Sequence, residues 1–312
     1  PDCVLLRDQC VRIGALEAAP EVYVALGGGS VIDSAKVFAA ADGDFDRVLT
    51  YLINKTGEDT LSATPIIAVP TTAGTGSEVT CWATVWDEEN GKKYSLARPG
   101  LYPECAIIDP ALMLAKPLAL TIATGLDALS HALESVWNVN ANPISARFAV
   151  TAALLTIDTL PKLARDLGNL ELRAAQAEAS LHAGMAFSNT KTAIAHNLSY
   201  PITLGWGVQH GIACSFTLPT ILRSVIGIGG FREAALKDIF GDDLDAGAAH
   251  LTEVLANLGI GTRFRDHGVP DRDVTRIVDD AFAGERGKNF IGTKADFLTA
   301  ARDQNIATLS AA

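Results

Sequence analysis

The sequence predicts an α/β domain over residues 1–117 and an all-helical domain over residues 118–312. In the first third of the chain, two apolar segments typical of strands each run into a loop rich in glycine or hydroxyl residues. An Asn-Gly pair between two further strand-like segments indicates a hairpin. After Pro117 the strand patterns give way to a succession of helical periodicities. With 312 residues and 48% hydrophobic composition, the chain can bury a core in each domain.

The first predicted strand, residues 21–26, is followed by Gly-Gly-Gly-Ser at 27–30 and by a helix over residues 31–41. Backbone N–H groups at a helix N-terminus point outward, and glycines let a phosphate approach them closely. The turn departs from the Rossmann fingerprint, because Ile32 stands where that pattern has its last glycine. Taken alone, such a turn is a weak signal, and a tight strand-to-helix connection explains it equally well.

The second predicted strand, residues 65–69, leads into PTTAGTGSEVT at 70–80, where hydroxyls and glycines alternate without an apolar period. Such a loop suits hydrogen bonding to phosphate and ribose oxygens. Two loops of this kind, each after a strand, together predict a nucleotide site at the strand ends. A hairpin over residues 79–86 and 92–96 and a short strand over 105–108 complete the predicted domain.

Helical periodicity covers most of the chain after Pro117, and Pro201 is expected to end one of the helices. The predicted helices span residues 125–137, 145–166, 171–187, 192–200, 216–226, 231–240, 245–258, 271–282 and 294–303.

Four polar residues in these otherwise apolar segments have the spacing of a metal site. Asp127 and His131 are four residues apart, so a helix places them on one face. His196 and His210 lie in a later segment, fourteen positions apart (210 − 196). Three imidazoles and one carboxylate suit Fe, Zn, Ni or Co better than Mg or Ca. A lone Asp-x3-His pair is usually structural, but polar groups in apolar surroundings need partners, which favours a metal site here.

The formal net charge of −11 argues against nucleic acid as a partner. No apolar run free of charged or turn residues is long enough to cross a membrane, and the first residues do not have the pattern of a signal peptide. Five dispersed cysteines without a CxxC motif fit a reducing compartment. We therefore expect a cytoplasmic protein in which no cysteine is catalytic.

Six segments of the chain resemble the iron-dependent (group III) alcohol dehydrogenase family, in the family's order. They are GGGSVIDSAK at 27–36, PTTAGTGSEVT at 70–80, AIIDPALM at 106–113, TGLDALSHALE at 124–134, HAGMAFSN at 182–189 and AIAHNLSYP…GVQHGIACSFTLP at 193–219. The resemblance implies a dehydroquinate synthase-like fold. It also implies an enzyme that uses NAD or NADP to interconvert a small alcohol and an aldehyde.

The same resemblance implies which residues bind the metal and the cofactor. The metal, most often iron, with zinc, nickel or cobalt as alternatives, is expected on Asp127, His131, His196 and His210. The pyrophosphate is expected at Gly28, Gly29, Ser30 and Asp33. The rest of the dinucleotide is expected along Thr71, Thr72, Ser77, Thr80 and Lys93.

Two departures from the family pattern matter. Family members usually carry about one more βαβ unit before the GGGS turn, so the sequence resembles an N-terminally incomplete member whose choice between NAD and NADP is unreadable. Tyr200 stands where the family usually has a second histidine after His196. Together with Lys191-Thr192 and residues 92–96, this resembles the phosphonoacetaldehyde reductase (hydroxyethylphosphonate dehydrogenase) branch.

That narrower resemblance implies an anionic substrate, phosphonoacetaldehyde, reduced to 2-hydroxyethylphosphonate. Lys191 would pair with the anionic group, with Lys92 and Arg98 as weaker candidates. Tyr200, four residues after His196, would donate a hydrogen bond or help to pass a proton. The competing interpretation is that Lys191 is solvated at a helix end and that Tyr200 only fills space.

Other functions stay open. The chain could be a generic short-chain alcohol dehydrogenase, or a carbocycle-forming lyase similar to dehydroquinate synthase, which also combines a metal with NAD. It could also be a non-catalytic metal-binding or scaffold protein, such as a filament subunit. The expected partner is a small alcohol or aldehyde. A homodimer is the assembly considered, although the sequence does not specify one.

Overall fold

A computed structural model describes residues 1–307 and divides the chain into two compact units. The first unit is Pro1–Met113, and the second begins at Leu114. The boundary expected near Pro117 therefore lies four residues further along the chain (117 − 113). Residues 308–312 of the second expected domain lie outside the described residues.

The first unit combines a parallel sheet, a hairpin and helices. The sheet has the order β1-β2-β5, with strands β1 (Tyr23–Gly27), β2 (Ile66–Pro70) and β5 (Cys105–Ala106). The antiparallel hairpin pairs β3 (Trp82–Asp87) with β4 (Lys92–Ala97). The helices are α1 (Cys3–Gly14), α2 (Gly29–Ala41) and α3 (Phe45–Asn54).

The parallel register brings the two predicted loops together. Gly27 at the end of β1 lies opposite Pro70 at the end of β2, and the Thr71 N–H donates to the Gly27 carbonyl at 2.9 Å. Both loops therefore leave the carboxyl edge of the sheet side by side, which is where open α/β sheets bind ligands.

The hairpin was predicted to begin at residue 79, but its first strand begins at Trp82. Ser77–Val79 forms a 3₁₀ turn instead. The Lys36 ammonium donates to the carbonyls of Ser77 and Trp82 at 2.6 and 2.8 Å, so the segment before Trp82 turns around this cation and the strand begins only after it. Helices α1 and α3 were not predicted. Val4 and Val11 of α1 are exposed, which blurs its apolar period.

The second unit is helical, as predicted. Its described residues form helices and 3₁₀ turns, with one isolated bridge between Asn138 and Phe290. The helices are α4 (Leu118–Val136), α5 (Pro143–Leu163), α6 (Leu170–Thr190), α7 (Ile194–Trp206), α8 (His210–Ser215), α9 (Leu218–Ser224), α10 (Gly230–Phe240), α11 (Leu244–Asn257), α12 (Asp271–Ala283) and α13 (Lys294–Asp303).

Helix α7 corrects one prediction, because it runs through Pro201 rather than ending there. A proline inside a helix removes one hydrogen bond and usually kinks or ends the helix. Here Ile202, the next residue, is fully buried, and its packing holds the chain helical beyond the proline. The helix ends where Gly207 takes the left-handed conformation, at φ 68°.

Within residues 1–307, α5 is the one helix long and apolar enough to cross a membrane. Half of its apolar window is buried inside the protein, where α5 packs against α4 and α6. Core helices of soluble proteins meet the same criterion, so α5 is weak support for a membrane span.

Candidate functional site

A cluster of three imidazoles and a carboxylate lies in the second unit, and the Asp127 Oδ1 atom is common to its contacts. The Nε2 atoms of His196, His131 and His210 lie 3.5, 3.9 and 4.0 Å from that oxygen. These distances are too long for good hydrogen bonds. They are compatible with three nitrogens and one oxygen directed at a single ion. The three histidines that the sequence predicted as metal ligands thus surround the predicted carboxylate, and their binding of a metal stays a prediction. The group whose ligand atoms all lie within 4.8 Å of one another consists of Asp127, His196, His210 and Cys214, without His131.

Helix α4 supplies two of these residues, Asp127 and His131, and also a second acidic group that the sequence analysis missed. Glu134 lies seven residues after Asp127, two helical turns along the same face, and is fully buried. That spacing was the signal that could have identified it. Its carboxylate accepts hydrogen bonds from the backbone N–H groups of Ala193, Ala195 and His196, at 3.0, 2.5 and 3.2 Å.

Glu134 also orients the His196 ring, because one of its oxygens lies 2.6 Å from His196 Nδ1. The first N–H groups of a helix have no partner within the helix, and Glu134 satisfies them at the start of α7. The other ring nitrogen, Nε2, lies 3.5 Å from Asp127 Oδ1. Burial would lower the pKa of His196, but Cys214, Glu134 and Asp127 raise it well above its usual range, so a cation that binds Nε2 displaces a proton. A carboxylate behind an imidazole is the arrangement that fixes the tautomer of a metal-binding histidine.

Helix α8 brings His210 close to α4, and Gly211 makes this approach possible. A Cβ atom at Gly211 would overlap the carbonyl oxygen of Ala123 and lie 3.1 Å from the Asp127 Cβ. The backbones of α8 and α4 are therefore in direct contact at this glycine. One turn after His210, the Cys214 thiol is fully buried, with its sulfur 3.6 Å from His210 Nε2. That no cysteine is catalytic stays a prediction, but the His-x3-Cys spacing is the signal that places this thiol beside His210.

The charges in the cluster suit cation binding. Burial would raise the pKa of Asp127, but His131 and His196 hold it well below its usual range, so the group is anionic. Burial lowers the pKa of His131 to about 4, against the opposing effect of Asp127, so its ring is neutral at pH 7. Burial raises the pKa of the Cys214 thiol, but His196 and His210 bring it down to about 7. An anionic carboxylate and a neutral imidazole are the forms that bind metals.

Two buried atoms in this cluster have no hydrogen-bond partner among the described residues: Asp127 Oδ1 and His196 Nε2. Leaving a buried carboxylate oxygen or an imidazole nitrogen without a partner is costly. A divalent cation would satisfy both atoms. Nitrogen and oxygen donors of this kind suit iron, zinc or cobalt, so the residues present fit the metal that the sequence implied.

Beside the cluster lie an aromatic ring and a cation. The Tyr200 ring stacks on His210, with centroids 5.9 Å apart and an interplanar angle of 12°. The Arg286 guanidinium lies 5.0 Å from the centroid of the Tyr200 ring. Across residues 1–307, no carboxylate forms an ion pair with Arg286. The sequence analysis did not identify Arg286, because it is 76 residues from His210 in the chain (286 − 210) and no motif includes it.

Lys191 is not on the helix that carries His196. It caps the end of α6 with a left-handed backbone, at φ 63°, and its side chain is exposed. Its carbonyl accepts a hydrogen bond from the Asn138 side-chain amide at 3.1 Å. The backbone of Lys191 therefore fixes the connection into α7, and its role toward a substrate stays a prediction.

In the first unit, the GGGS turn opens α2 with Gly28 as its N-cap. A Cβ atom at Gly28 would lie 3.1 Å from the Thr72 methyl group, and one at Gly29 would lie 2.7 Å from the Thr75 hydroxyl. The two loops are thus close together, and any larger side chain at Gly28 or Gly29 would require the threonine side chains to shift. The open backbone of this turn and the threonine hydroxyls form a cradle that fits a pyrophosphate.

Other predicted cofactor residues are engaged by the protein itself. Ser77 and Thr80 are buried, and their hydroxyls contact the Lys36 ammonium at 2.9 and 3.2 Å. The Asp33 carboxylate accepts hydrogen bonds from the Ser77 hydroxyl at 2.6 Å and from the Thr84 N–H at 2.8 Å. These residues shape the loop. Whether they also contact a dinucleotide stays a prediction.

Of the remaining cofactor candidates, Ser30 is exposed, and Thr71 and Thr72 are half-buried. The Lys93 ammonium lies over the Trp86 ring, 5.3 Å from its centroid.

Comparison with known families finds two matches that together cover most of the chain. Residues 10–110 match the family model of iron-containing alcohol dehydrogenases. Residues 121–311 match the model of the C-terminal part of the Fe-containing alcohol dehydrogenase family.

Individual relatives agree with these matches. The chain is 33% identical over 272 residues to an NAD-dependent methanol dehydrogenase of Bacillus methanolicus, covering 84% of this chain and 71% of the relative. It is 41% identical over 209 residues to a phosphonoacetaldehyde reductase of Streptomyces viridochromogenes, covering 65% of this chain and 53% of the relative. The crystal structure of a sulfoacetaldehyde reductase from Bifidobacterium kashiwanohense in complex with NAD+ superposes with a TM-score of 0.88 at 32% identity, covering 99% of this chain and 81% of that one.

Proposed function

Because the chain belongs to the iron-containing alcohol dehydrogenase family, we propose that it interconverts a small anionic aldehyde and its alcohol, using a nicotinamide dinucleotide and one divalent metal ion. The observation that carries the proposal is the convergence of three imidazole Nε2 atoms on Asp127 Oδ1, within 4.0 Å. A donor set that includes a carboxylate and several imidazoles is typical of catalytic metal sites, which keep a position open for a substrate oxygen.

Different residues would bind the metal, orient a ligand, contact the substrate oxygen and bind the dinucleotide. Asp127, His131, His196 and His210 would hold the cation, which when bound supplies Lewis acidity toward a carbonyl oxygen. Glu134 keeps His196 in the tautomer that can bind a cation. The phenol of Tyr200, stacked on His210, would donate a hydrogen bond to the substrate oxygen or pass a proton to it. The GGGS turn would bind the pyrophosphate of the dinucleotide that supplies the hydride.

Two observations support an anionic substrate. Arg286 lies against Tyr200 and forms no ion pair with any carboxylate in residues 1–307. Two similar proteins are named for phosphonoacetaldehyde and sulfoacetaldehyde, aldehydes that each carry a tetrahedral anionic group. A guanidinium matches such a group through paired N–H donors. We assign Arg286 as the first partner of that anion and Lys191 as the second.

The activity is tested by reconstituting the protein with Fe²⁺, Zn²⁺ or Co²⁺ and following NADH and NADPH oxidation with a panel of aldehydes. The panel contains phosphonoacetaldehyde, sulfoacetaldehyde, acetaldehyde and propanal. We expect metal-dependent oxidation that is fastest with an anionic aldehyde. If no aldehyde is reduced with any of the metals, the proposed activity is wrong.

The substrate class is tested separately with Arg286→Met and Lys191→Met. Losing one partner of a buried charge pair costs about 2–5 kcal/mol, so the KM for the anionic aldehyde should rise at least about 30-fold in Arg286→Met, and less in Lys191→Met. The KM for propanal should change little. Arg286→Lys, which keeps the charge, and Arg272→Met, which removes an exposed arginine, are the controls. Equal effects on the KM of anionic and neutral aldehydes would overturn the anionic substrate class and leave the substrate as an unspecified small aldehyde.

A further inference from the structure

The Cys214 thiol lies within the cluster that the metal ligands form. Its sulfur, an Asp127 carboxylate oxygen and one ring nitrogen each of His196 and His210 all lie within 4.8 Å of one another. The sulfur is 3.6 Å from His210 Nε2 and 3.7 Å from His210 Nδ1. A buried cysteine is ordinarily a small apolar group in an apolar pocket. This one is surrounded by titratable donors.

Two polar atoms of the group that contains the thiol have no hydrogen-bond partner among the described residues. Asp127 and His196 are more than nine-tenths buried, and Asp127 Oδ1 and His196 Nε2 form no hydrogen bond among the described residues. A neutral thiol is a weak donor and would satisfy these atoms poorly. A cation between the oxygen, the nitrogens and the sulfur would satisfy all of them.

The backbone holds the thiol in this place. His210 and Cys214 are four residues apart on α8, so they lie on one face of that helix. Gly211 lets this helix touch α4 directly, since any side chain there would overlap Ala123. The position of Cys214 relative to Asp127 is therefore set by the same backbone contact that positions His210.

We propose that Cys214 is a sulfur ligand of the metal ion, in addition to the nitrogen and oxygen ligands assigned above. This inference rests on the proposed metal centre and adds a property to it. A thiolate is a soft donor, and it shifts the preference of a mixed nitrogen and oxygen site toward zinc and cobalt and away from hard ions such as Mn²⁺. The chain would then differ in metal preference from a centre made of three imidazoles and one carboxylate.

The first test uses the Co²⁺-loaded full chain and its absorption spectrum, which does not depend on turnover. A sulfur-to-cobalt charge-transfer band in the near ultraviolet is expected in the unmodified protein and in Cys81→Ser, which replaces a buried cysteine of the first unit. The band should be absent from Cys214→Ser at an equal cobalt content. The affinity for Zn²⁺ relative to Mn²⁺ should fall at least about tenfold in Cys214→Ser, since even residues outside the ligand sphere cost that much.

The second test needs no variant. X-ray absorption of the zinc-loaded protein should show one sulfur neighbour at about 2.3 Å together with nitrogen and oxygen neighbours at about 2.0–2.2 Å. A stoichiometric metal with only nitrogen and oxygen neighbours would overturn the sulfur ligand and leave the metal centre intact. A chain that binds none of Fe²⁺, Zn²⁺ or Co²⁺ would overturn both.

Discussion

The two units each contain a buried polar cluster, and the clusters differ in whether the protein itself satisfies them. In the first unit, the Lys36 ammonium contacts four oxygens within 3.2 Å. The Ser77 hydroxyl, which is one of these contacts, donates a hydrogen bond to the Asp33 carboxylate. In the second unit, Asp127 Oδ1 and His196 Nε2 have no partner among the described residues. The protein itself supplies the partners of the first cluster, whereas two atoms of the second are left for a ligand.

This difference shows that burial alone does not identify a functional group. Lys36 and His196 are almost equally inaccessible, at 0% and 3% exposure, yet only the histidine has an atom left over. Buried polar groups in native proteins are nearly always paired, so two unpaired atoms within one cluster of metal-binding residue types favour a cation there. The paired network shapes the loop beside the GGGS turn, and the unpaired cluster is directed at a ligand.

The largest expected effect tests the cluster of Asp127 and three histidines in the second unit. His196→Ala removes the nitrogen that Glu134 orients, so we expect stoichiometric metal to be lost, with affinity reduced more than about 100-fold. Metal content after dialysis measures this. His182→Ala should keep its metal, because this histidine lies on α6 beside Glu178 and Phe148 and outside the group of four potential ligands around Asp127. Full occupancy in His196→Ala would mean that the unpaired nitrogen is not a ligand.

The next effect tests whether every polar group around Lys36 in the first unit has a partner. Glu78 adjoins this network and is buried, and burial raises the pKa of its carboxyl to about 7, although its own backbone N–H and Lys36 act in the opposite direction. The folded state therefore binds a proton more tightly than the unfolded state, whose value is 4.5. The free energy of unfolding should fall as pH rises from 4.5 to 7, by up to about 3 kcal/mol.

Glu78→Gln should remove that part of the pH dependence, because glutamine does not ionise. Urea denaturation of both proteins at pH 5 and pH 8 measures the free energy of unfolding. Relative to the unmodified protein, the variant should be more stable at pH 8 than it is at pH 5. Asp59→Gln replaces an exposed acidic residue of the same unit and should leave the slope unchanged. An equal loss of stability between the two pH values in Glu78→Gln would show that the network already compensates the carboxylate.

The smallest effect concerns the GGGS turn, which lies beside the hydrogen-bond network of Lys36. Valine at Gly28 would crowd Thr72, which lies 3.1 Å from the position of a Cβ atom, and would cover the backbone that a pyrophosphate approaches. We expect NADH and NADPH to bind at least about tenfold more weakly, which corresponds to about 1.4 kcal/mol. Fluorescence titration measures this. Gly168→Val, at a glycine with open space around it, is the control. Unchanged affinity in folded Gly28→Val would place the phosphates elsewhere.

The sequence predicted what depends on local pattern and spacing. The order of the strands, most helices of the second unit, the GGGS turn at the start of α2, and Asp127 with the three histidines around it all followed from periodicity or from motifs. Pro201 misled the prediction because tertiary packing of Ile202 outweighs a local helix breaker. Arg286 could not be predicted, because it approaches Tyr200 only through the packing of a distant loop. Glu134 and Cys214 were within reach of spacing rules and were missed.

The bonds of Glu134 have a consequence for how this chain can vary. One carboxylate caps the start of α7 and also holds the ring of His196, so helix initiation and ligand orientation depend on the same two oxygen atoms. Glutamine has only one oxygen to offer these four donors, and aspartate is one carbon shorter. Neither glutamine nor aspartate can therefore satisfy both tasks at this position. A substitution of Glu134 would disturb the start of α7 and the orientation of the His196 ring together, so these two features of the chain cannot change independently.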